Sequence, residues 1–174
     1  LEIEKKRTQK LFVSNIFCKL QRETQKAAFV YLKINPKNKC IMKVYQTKEI
    51  KNISLLGSDG SGKTTLTEAL LYESGQIQRR GRITAKNTVS DYFPVEQEYG
   101  YSVFSTPFHT EWNGKKLNFI DCPGSDDFIG ATITALSVTD TAVIMINGQN
   151  GVEVTTQNHF RYCEKLKKPV IFLI

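Results

Sequence analysis

Gly57-Ser58-Asp59-Gly60-Ser61-Gly62-Lys63-Thr64 is the stretch on which the reading of the fold turns. Its spacing, G-x-x-x-x-G-K-[ST], has mechanical meaning only between a strand and a helix, and the neighbouring residues supply both. The apolar run Ile53-Ser54-Leu55-Leu56 leads into the first glycine, and Leu66, Ala69 and Leu70 follow at helical spacing. In that setting the glycines let backbone N–H groups curl around phosphate oxygens, and the helix N-terminus adds a favourable field. Lys63 is then the residue expected to reach the β and γ phosphates, and Thr64 the hydroxyl expected to coordinate Mg²⁺. Ser58, Asp59, Gly60, Ser61, Gly62 and Thr65 complete this candidate nucleotide-binding stretch.

Working outward, Asp121-Cys122-Pro123-Gly124 ends the strand-like run from Lys115 to Asp121 and has the form D-x-x-G. Alone the tetrapeptide is an ordinary turn. Behind a P-loop, all four residues become nucleotide-site candidates: Asp121 offers the hard oxygen that Mg²⁺ prefers, and the Gly124 amide can meet a γ-phosphate. A second strand-like stretch, Tyr101 to Trp112, lies upstream, separated by Asn113-Gly114, the dipeptide best suited to a tight hairpin. Ile129, Ile133 and Leu136 mark a helix face, Thr141 to Asn147 a buried strand, and Val152 to Lys168 a helix stopped by Pro169. Strands alternating with helices predict a three-layer α/β fold of the P-loop NTPase type, its sheet mostly parallel with one antiparallel hairpin edge.

The chain has 174 residues, 40% of them apolar, enough for one domain with a real core. Its net charge of +7 is unevenly placed: residues 1–41 hold ten Lys and Arg against three Glu, while residues 42–174 hold fourteen charges of each sign. The excess therefore belongs to a basic leader, expected to be disordered or not native, and is no evidence for a nucleic-acid site in residues 42–174. Four dispersed cysteines form no CxxC pair, which suggests neither a zinc site nor a disulfide framework and fits a reduced cytoplasm. No run approaches the roughly 18 apolar residues of a membrane helix. Leu1 at the start and the apolar run Pro169 to Ile174 at the end are both read as cut ends, the second as a buried strand.

Several further blocks resemble elongation factor G: TTLTEALLYESG from Thr64 to Gly75, NTVSD from Asn87 to Asp91, Glu96-Gln97-Glu98, DCPGSDDF from Asp121 to Phe128, and NGVEV from Asn150 to Val154. The resemblance covers about Met42 to Ile174, everything except the leader. It implies a G domain, truncated here before its last strand, and a cytoplasmic GTPase that binds GTP and GDP with Mg²⁺, acts on the ribosome and moves tRNA and mRNA. Tetracycline-resistance ribosome-protection proteins share much of the pattern, but Tyr72 to Arg82 and NTVSD favour the elongation-factor branch. Ribosome contacts in the family come largely from later domains.

Three departures bear on function. The family's switch I pattern R-G-I-T falls on Tyr99-Gly100-Tyr101-Ser102, so Ser102 is the candidate second Mg²⁺ ligand or else a plain strand residue. The P-loop has lost the family's His and Asp, a change that phosphate binding through backbone amides should tolerate. Switch II, D-x-P-G-H in the family, reads Asp121-Cys122-Pro123-Gly124-Ser125, so Ser125 occupies the catalytic histidine's position. The apolar residues flanking that histidine map to Asp59 and Tyr101; His109, in a hairpin strand, and His159, in the last helix, are expected to be surface or structural. Guanine specificity cannot be read here, because the family's N-K-x-D motif would follow Ile174. Three readings stand: a GTP-binding translation factor with slow or lost hydrolysis, a nucleotide-gated ribosome-binding or ribosome-protection protein, and a P-loop ATPase or kinase outside translation.

Overall fold

The computed structural model describes residues 43–174, and Tyr45–Ile174 form one compact unit. The expectation for the leader lies outside the described residues. Five strands build the sheet: β1 (Ile50–Gly57), β2 (Thr106–Trp112), β3 (Lys115–Asp121), β4 (Thr141–Met145) and β5 (Val170–Leu173), in the order β2-β3-β1-β4-β5. All neighbours are parallel except β2 and β3. Those two form the expected hairpin, with Asn113 and Gly114 both at positive φ, 48° and 75°, as a two-residue turn demands.

Among the described residues four α-helices accompany the sheet: α1 (Lys63–Glu73), α2 (Pro94–Tyr99), α3 (Ile129–Val138) and α4 (Val154–Lys165). Leu56, Ala142 and Ile144 of the sheet pack with Cys122, Ala135, Leu136 and Cys163, so α3 and α4 cover this face. Leu55 points the other way by the two-residue period of a strand, toward the α1 side, where Leu71 is buried. Each fully buried Leu or Ile contributes about 1.5–3 kcal/mol relative to exposure. β1 is the central strand of the sheet, and it carries the buried Leu55 and Leu56.

The final strand is present as β5 but is not buried as expected: it is an edge strand of the sheet, and Ile171, Phe172 and Leu173 are exposed. Three further sequence expectations need correction at their edges. The first hairpin strand begins at Thr106, not Tyr101, because buried Glu96 takes the N–H groups of Val103 and Phe104, at 3.0 Å each, away from any strand ladder. The buried strand predicted to Asn147 ends at Met145; Asn147 instead bridges Gly151 in a turn. The last helix runs from Val154 to Lys165 rather than from Val152 to Lys168, since Lys167 adopts a left-handed φ of 53°. Lys168 does not serve its own helix end: its ammonium donates to Thr139 O at 2.6 Å, tying the approach to β5 to the end of α3.

Candidate functional site

The sheet order determines where a site can form. From β1 the chain crosses to β3 on one side and then to β4 on the other, so a crevice opens at the carboxyl end of β1. The glycine-rich loop lies there, fed by the buried residues Ser54, Leu55 and Leu56. Gly57 makes the turn with φ of 140°; a Cβ on it would run into the Met145 carbonyl and lie 2.8 Å from Ser61 Oγ. Ser61 N–H donates to Ser58 O at 3.2 Å and Leu66 N–H to Gly62 O at 2.8 Å, closing the loop onto α1. Lys63 folds back across it, its Nζ donating to Gly57 O at 2.9 Å and Ser58 O at 2.8 Å. Burial lowers the lysine's pKa below the usual value, opposed by the nearby Asp121 and Asp59 carboxylates.

One residue further along α1, Thr64 meets two of the residues singled out in the sequence. Its Oγ1 donates to Asp121 Oδ2 at 3.1 Å and lies 3.5 Å from Ser102 Oγ, and all three residues are buried. Ser102 is thus part of the cluster and not a strand residue. It donates to Asp91 Oδ1 at 2.7 Å, which brings in a carboxylate that motif reading missed. Its only signal was its place at the end of the NTVSD block. Burial pushes both acids up: Asp121 to about 6, with Lys63 and the Thr64 hydroxyl pulling the other way, and Asp91 in the same direction.

The hydroxyls of Ser58 and Ser61 are buried without a hydrogen-bond partner, and Asp121 has only the Ser90 hydroxyl near its second oxygen. Native proteins leave few such atoms unanswered, so a group of them around one loop marks a place where a polar ligand belongs. The donor set is all hard oxygen, which fits Mg²⁺, an ion that keeps several waters and takes its remaining oxygens from phosphates. Among the described residues no group of three or more His, Cys, Asp or Glu could cage a metal unaided.

The Asp121–Ser125 segment closes over the P-loop from β3. Gly124 approaches so near that a Cβ on it would stand 2.6 Å from both Lys63 Nζ and the Asp59 amide nitrogen. Cys122 and Pro123 are buried, and burial pushes the Cys122 thiol up to about 12, so that side chain is a core element and not a ligand. Ser125 caps the short 3₁₀ turn Asp126–Phe128: its Oγ accepts the Asp127 N–H at 3.3 Å and donates to Asp127 Oδ2 at 3.4 Å. Asp59 and Thr65 are exposed, and the Tyr101 ring lies tilted against those of Tyr99 and Phe128, with centroids 5.7 and 6.4 Å away. His109 lies exposed on β2; His159 is fully buried on α4, where its Nδ1 accepts the Gly57 N–H at 3.2 Å.

Two buried glutamates hold the long segment between α1 and β2. Glu68 accepts the N–H of Gly81 at 2.7 Å and that of Val89, and Glu96 accepts those of Val103 and Phe104. Neither was legible as a functional residue, although both stand in family-like blocks. Together they fix the segment that carries Asp91 and Ser102.

A parallel sheet that delivers such a loop to its switch point, with a lysine folded over it and a carboxylate facing the following threonine, defines the class of P-loop nucleotide-binding domains. Residues 48–174 match the family described as elongation factor Tu GTP binding domain, and the chain belongs to that family. It is 36% identical over 129 residues to ribosome-releasing factor 2, mitochondrial, of Candida dubliniensis, covering 74% of this chain and 16% of that protein. It is 35% identical over 127 residues to an elongation factor G-like protein of Thermotoga maritima, covering 73% and 18%. With the tetracycline resistance protein TetP of Clostridium perfringens it shares 36% over 127 residues, covering 73% and 20%. A crystal structure of a Thermus thermophilus protein superimposes with a TM-score of 0.69 at 36% identity, over 71% of this chain and 19% of that one. The chain thus spans a fifth or less of the length of these relatives.

Proposed function

We propose that this chain is the nucleotide-binding part of a translational GTPase of the elongation factor G type, one that binds GTP and GDP with Mg²⁺, promotes ribosomal translocation and hydrolyses GTP slowly. The observation that carries the reading is the buried convergence of Thr64, Ser102 and Asp121 beside the P-loop, 3.1 and 3.5 Å apart through Thr64 Oγ1. In this reading the peptide N–H groups of Ser58 to Gly62 and of Thr65 hold phosphate oxygens. Lys63 leaves its loop carbonyls for the β and γ phosphates, and Gly124 offers its amide to the γ-phosphate. Thr64, Ser102 and Asp121 would hold Mg²⁺, which when bound neutralises phosphate charge and restores the ionised state of Asp121. Cys122 and Pro123 shape the strand exit that positions Asp121 and Gly124.

Ser125 carries the catalytic part of the reading. Its hydroxyl is short, is occupied in capping the turn at Asp126, and cannot supply the charge of an imidazolium to an attacking water. Ribosome-stimulated single-turnover hydrolysis by the intact protein, wild type against Ser125→Asn and Ser125→His at saturating GTP, tests this. A large rate gain in the His variant with unchanged GTP affinity supports it; a wild type as fast as an ordinary elongation factor G refutes it. The same occupied hydroxyl favours a second reading, a nucleotide-gated ribosome-binding or ribosome-protection protein that needs no fast hydrolysis. GTP-dependent ribosome binding without translocation would single that one out.

Among the described residues no helix is long and apolar enough to cross a membrane. The cytoplasm is the proposed compartment, consistent with buried free thiols at Cys122 and Cys163. The fungal relatives are named mitochondrial, so cell fractionation is the direct check.

A further inference from the structure

Gly57 is the last residue of β1 and the first of the P-loop, and its N–H has no strand to bond. Cys122 N–H donates to Leu55 O at 3.2 Å, so in a parallel ladder the odd-numbered residues of β1 turn toward β3. The last pairing between these strands is Leu55 with Asp121, and β3 has left the sheet before it could serve Gly57. The acceptor comes instead from α4: His159 Nδ1, at 3.2 Å, in a ring with no solvent exposure. The other side of the same residue is held by Lys63, whose ammonium bonds the Gly57 carbonyl at 2.9 Å. A line of contacts therefore runs from α4 through one glycine to the P-loop lysine.

The ring is fixed in one protonation state. An Nδ1 that accepts is unprotonated, so the proton is on Nε2, which is buried and has no partner. Burial and the Lys63 charge hold the imidazole neutral, pressing its pKa down to about 4, with Asp126 acting weakly the other way. A side chain with an unsatisfied donor has no advantage over an aliphatic one for packing. What distinguishes it is the acceptor it gives to Gly57.

We propose that His159 is a positioning residue for nucleotide binding, its imidazole fixing the Gly57 peptide and, through the Gly57 carbonyl, the P-loop from which Lys63 acts. This rests on the GTP-binding reading above. His159 belongs to ground-state binding and not to the position vacated in switch II, and it acts without touching the nucleotide.

The test uses the intact protein and a fluorescent GDP, with three readouts: GDP release rate, melting temperature and hydrogen exchange of the Gly57 amide. His159→Leu removes the acceptor while keeping an apolar volume; His159→Asn keeps an oxygen near the place of Nδ1. We expect His159→Leu to release GDP on the order of tenfold faster with an unprotected Gly57 amide, the loss of one hydrogen bond. His159→Asn should restore both to within about threefold, even where its melting temperature stays below the wild type's. A purely structural histidine would lower the melting temperature in both variants and leave GDP release unchanged at temperatures where they are folded, and that result overturns the proposal. If His159→Leu does not fold, imidazole nitrogen NMR of the wild type decides: the Nε2–H tautomer with and without GDP supports the proposal, an Nδ1–H or doubly protonated ring refutes it. A wild type that binds neither GDP nor GTP would overturn the functional reading itself, and this proposal with it.

Discussion

The P-loop and the Asp121–Ser125 segment meet around Gly124 and Lys63, yet they are made of different material. The P-loop is built from peptides: glycine turns, N–H groups and two carbonyls that hold a lysine. Ser58 and Gly60 stand where the family pattern has His and Asp, and the loop still closes onto α1 with Lys63 folded over it. In the Asp121–Ser125 segment Gly124 is packed against the P-loop, but the step proposed for it depends on one side chain. In the proposed reading a change of side chain should therefore be absorbed where the backbone is the instrument and felt where the side chain is.

The largest effect should come from the side-chain half of this contrast. Ser125→His is expected to raise ribosome-stimulated single-turnover hydrolysis by about 10²- to 10⁴-fold, the range of a positioned acid or base, with the GTP dissociation constant unchanged. A parallel gain in affinity would mean that the residue also acts in ground-state binding and would break the contrast.

Acid titration comes next, because two buried groups at the site shift in opposite senses. His159 has a folded pKa of about 4 against an ordinary 6.5, so between those values the unfolded chain binds more protons and stability falls as pH drops. Asp121 has a folded pKa of about 6 against 3.8, so there the folded chain binds more protons and stability rises as pH drops. Each amounts to about 3 kcal/mol, and in metal-free protein they largely cancel. Asp121→Asn should therefore lose stability between pH 6.5 and 4, and His159→Asn should gain it, as read by urea unfolding across that window. Lys63 and Asp126 are the charged groups acting on His159, so Asp126→Asn should shift its titration slightly lower.

Smaller still is Gly124→Ala, whose methyl would press on Lys63 Nζ and the Asp59 amide; a loss of about 1–3 kcal/mol in stability, the usual toll of overpacking, should appear in thermal unfolding. Smallest is Ser58→Ala. Its hydroxyl has no protein partner, and a change in GTP affinity of less than about threefold would sharpen the claim that the cradle is made of peptides. A drop of two orders of magnitude would show that side chains matter there after all.

How much of this could be read beforehand depended on the range of the interaction. The P-loop was legible because strand, glycines and helix are contiguous, and the hairpin because Asn113-Gly114 states its turn in two residues. The stretch from Gln76 to Ser105 was not. Its order comes from Glu68 reaching residues 13 and 21 positions ahead and from Glu96 reaching seven and eight, which no hydrophobic period records. The same blindness made Tyr101 to Ser105 look like strand, since alternation shows side chains but not where the amides go. Ser102 was named from the resemblance and lies in the cluster with Thr64, whereas Asp91 and the Gly57 contact of His159 emerged only from the folded chain.

Glu68 and Glu96 have a thermodynamic consequence for any ligand of this site. A loop that becomes ordered on binding draws that ordering from the binding free energy, at roughly 1–2 kcal/mol of backbone entropy per residue fixed. Here the segment that presents Asp91 and Ser102 is already anchored by hydrogen bonds to Glu68 on α1 and, within the segment itself, to buried Glu96. Its entropy is lost when the chain folds, so the affinity for a nucleotide is left to reflect the contacts the nucleotide makes.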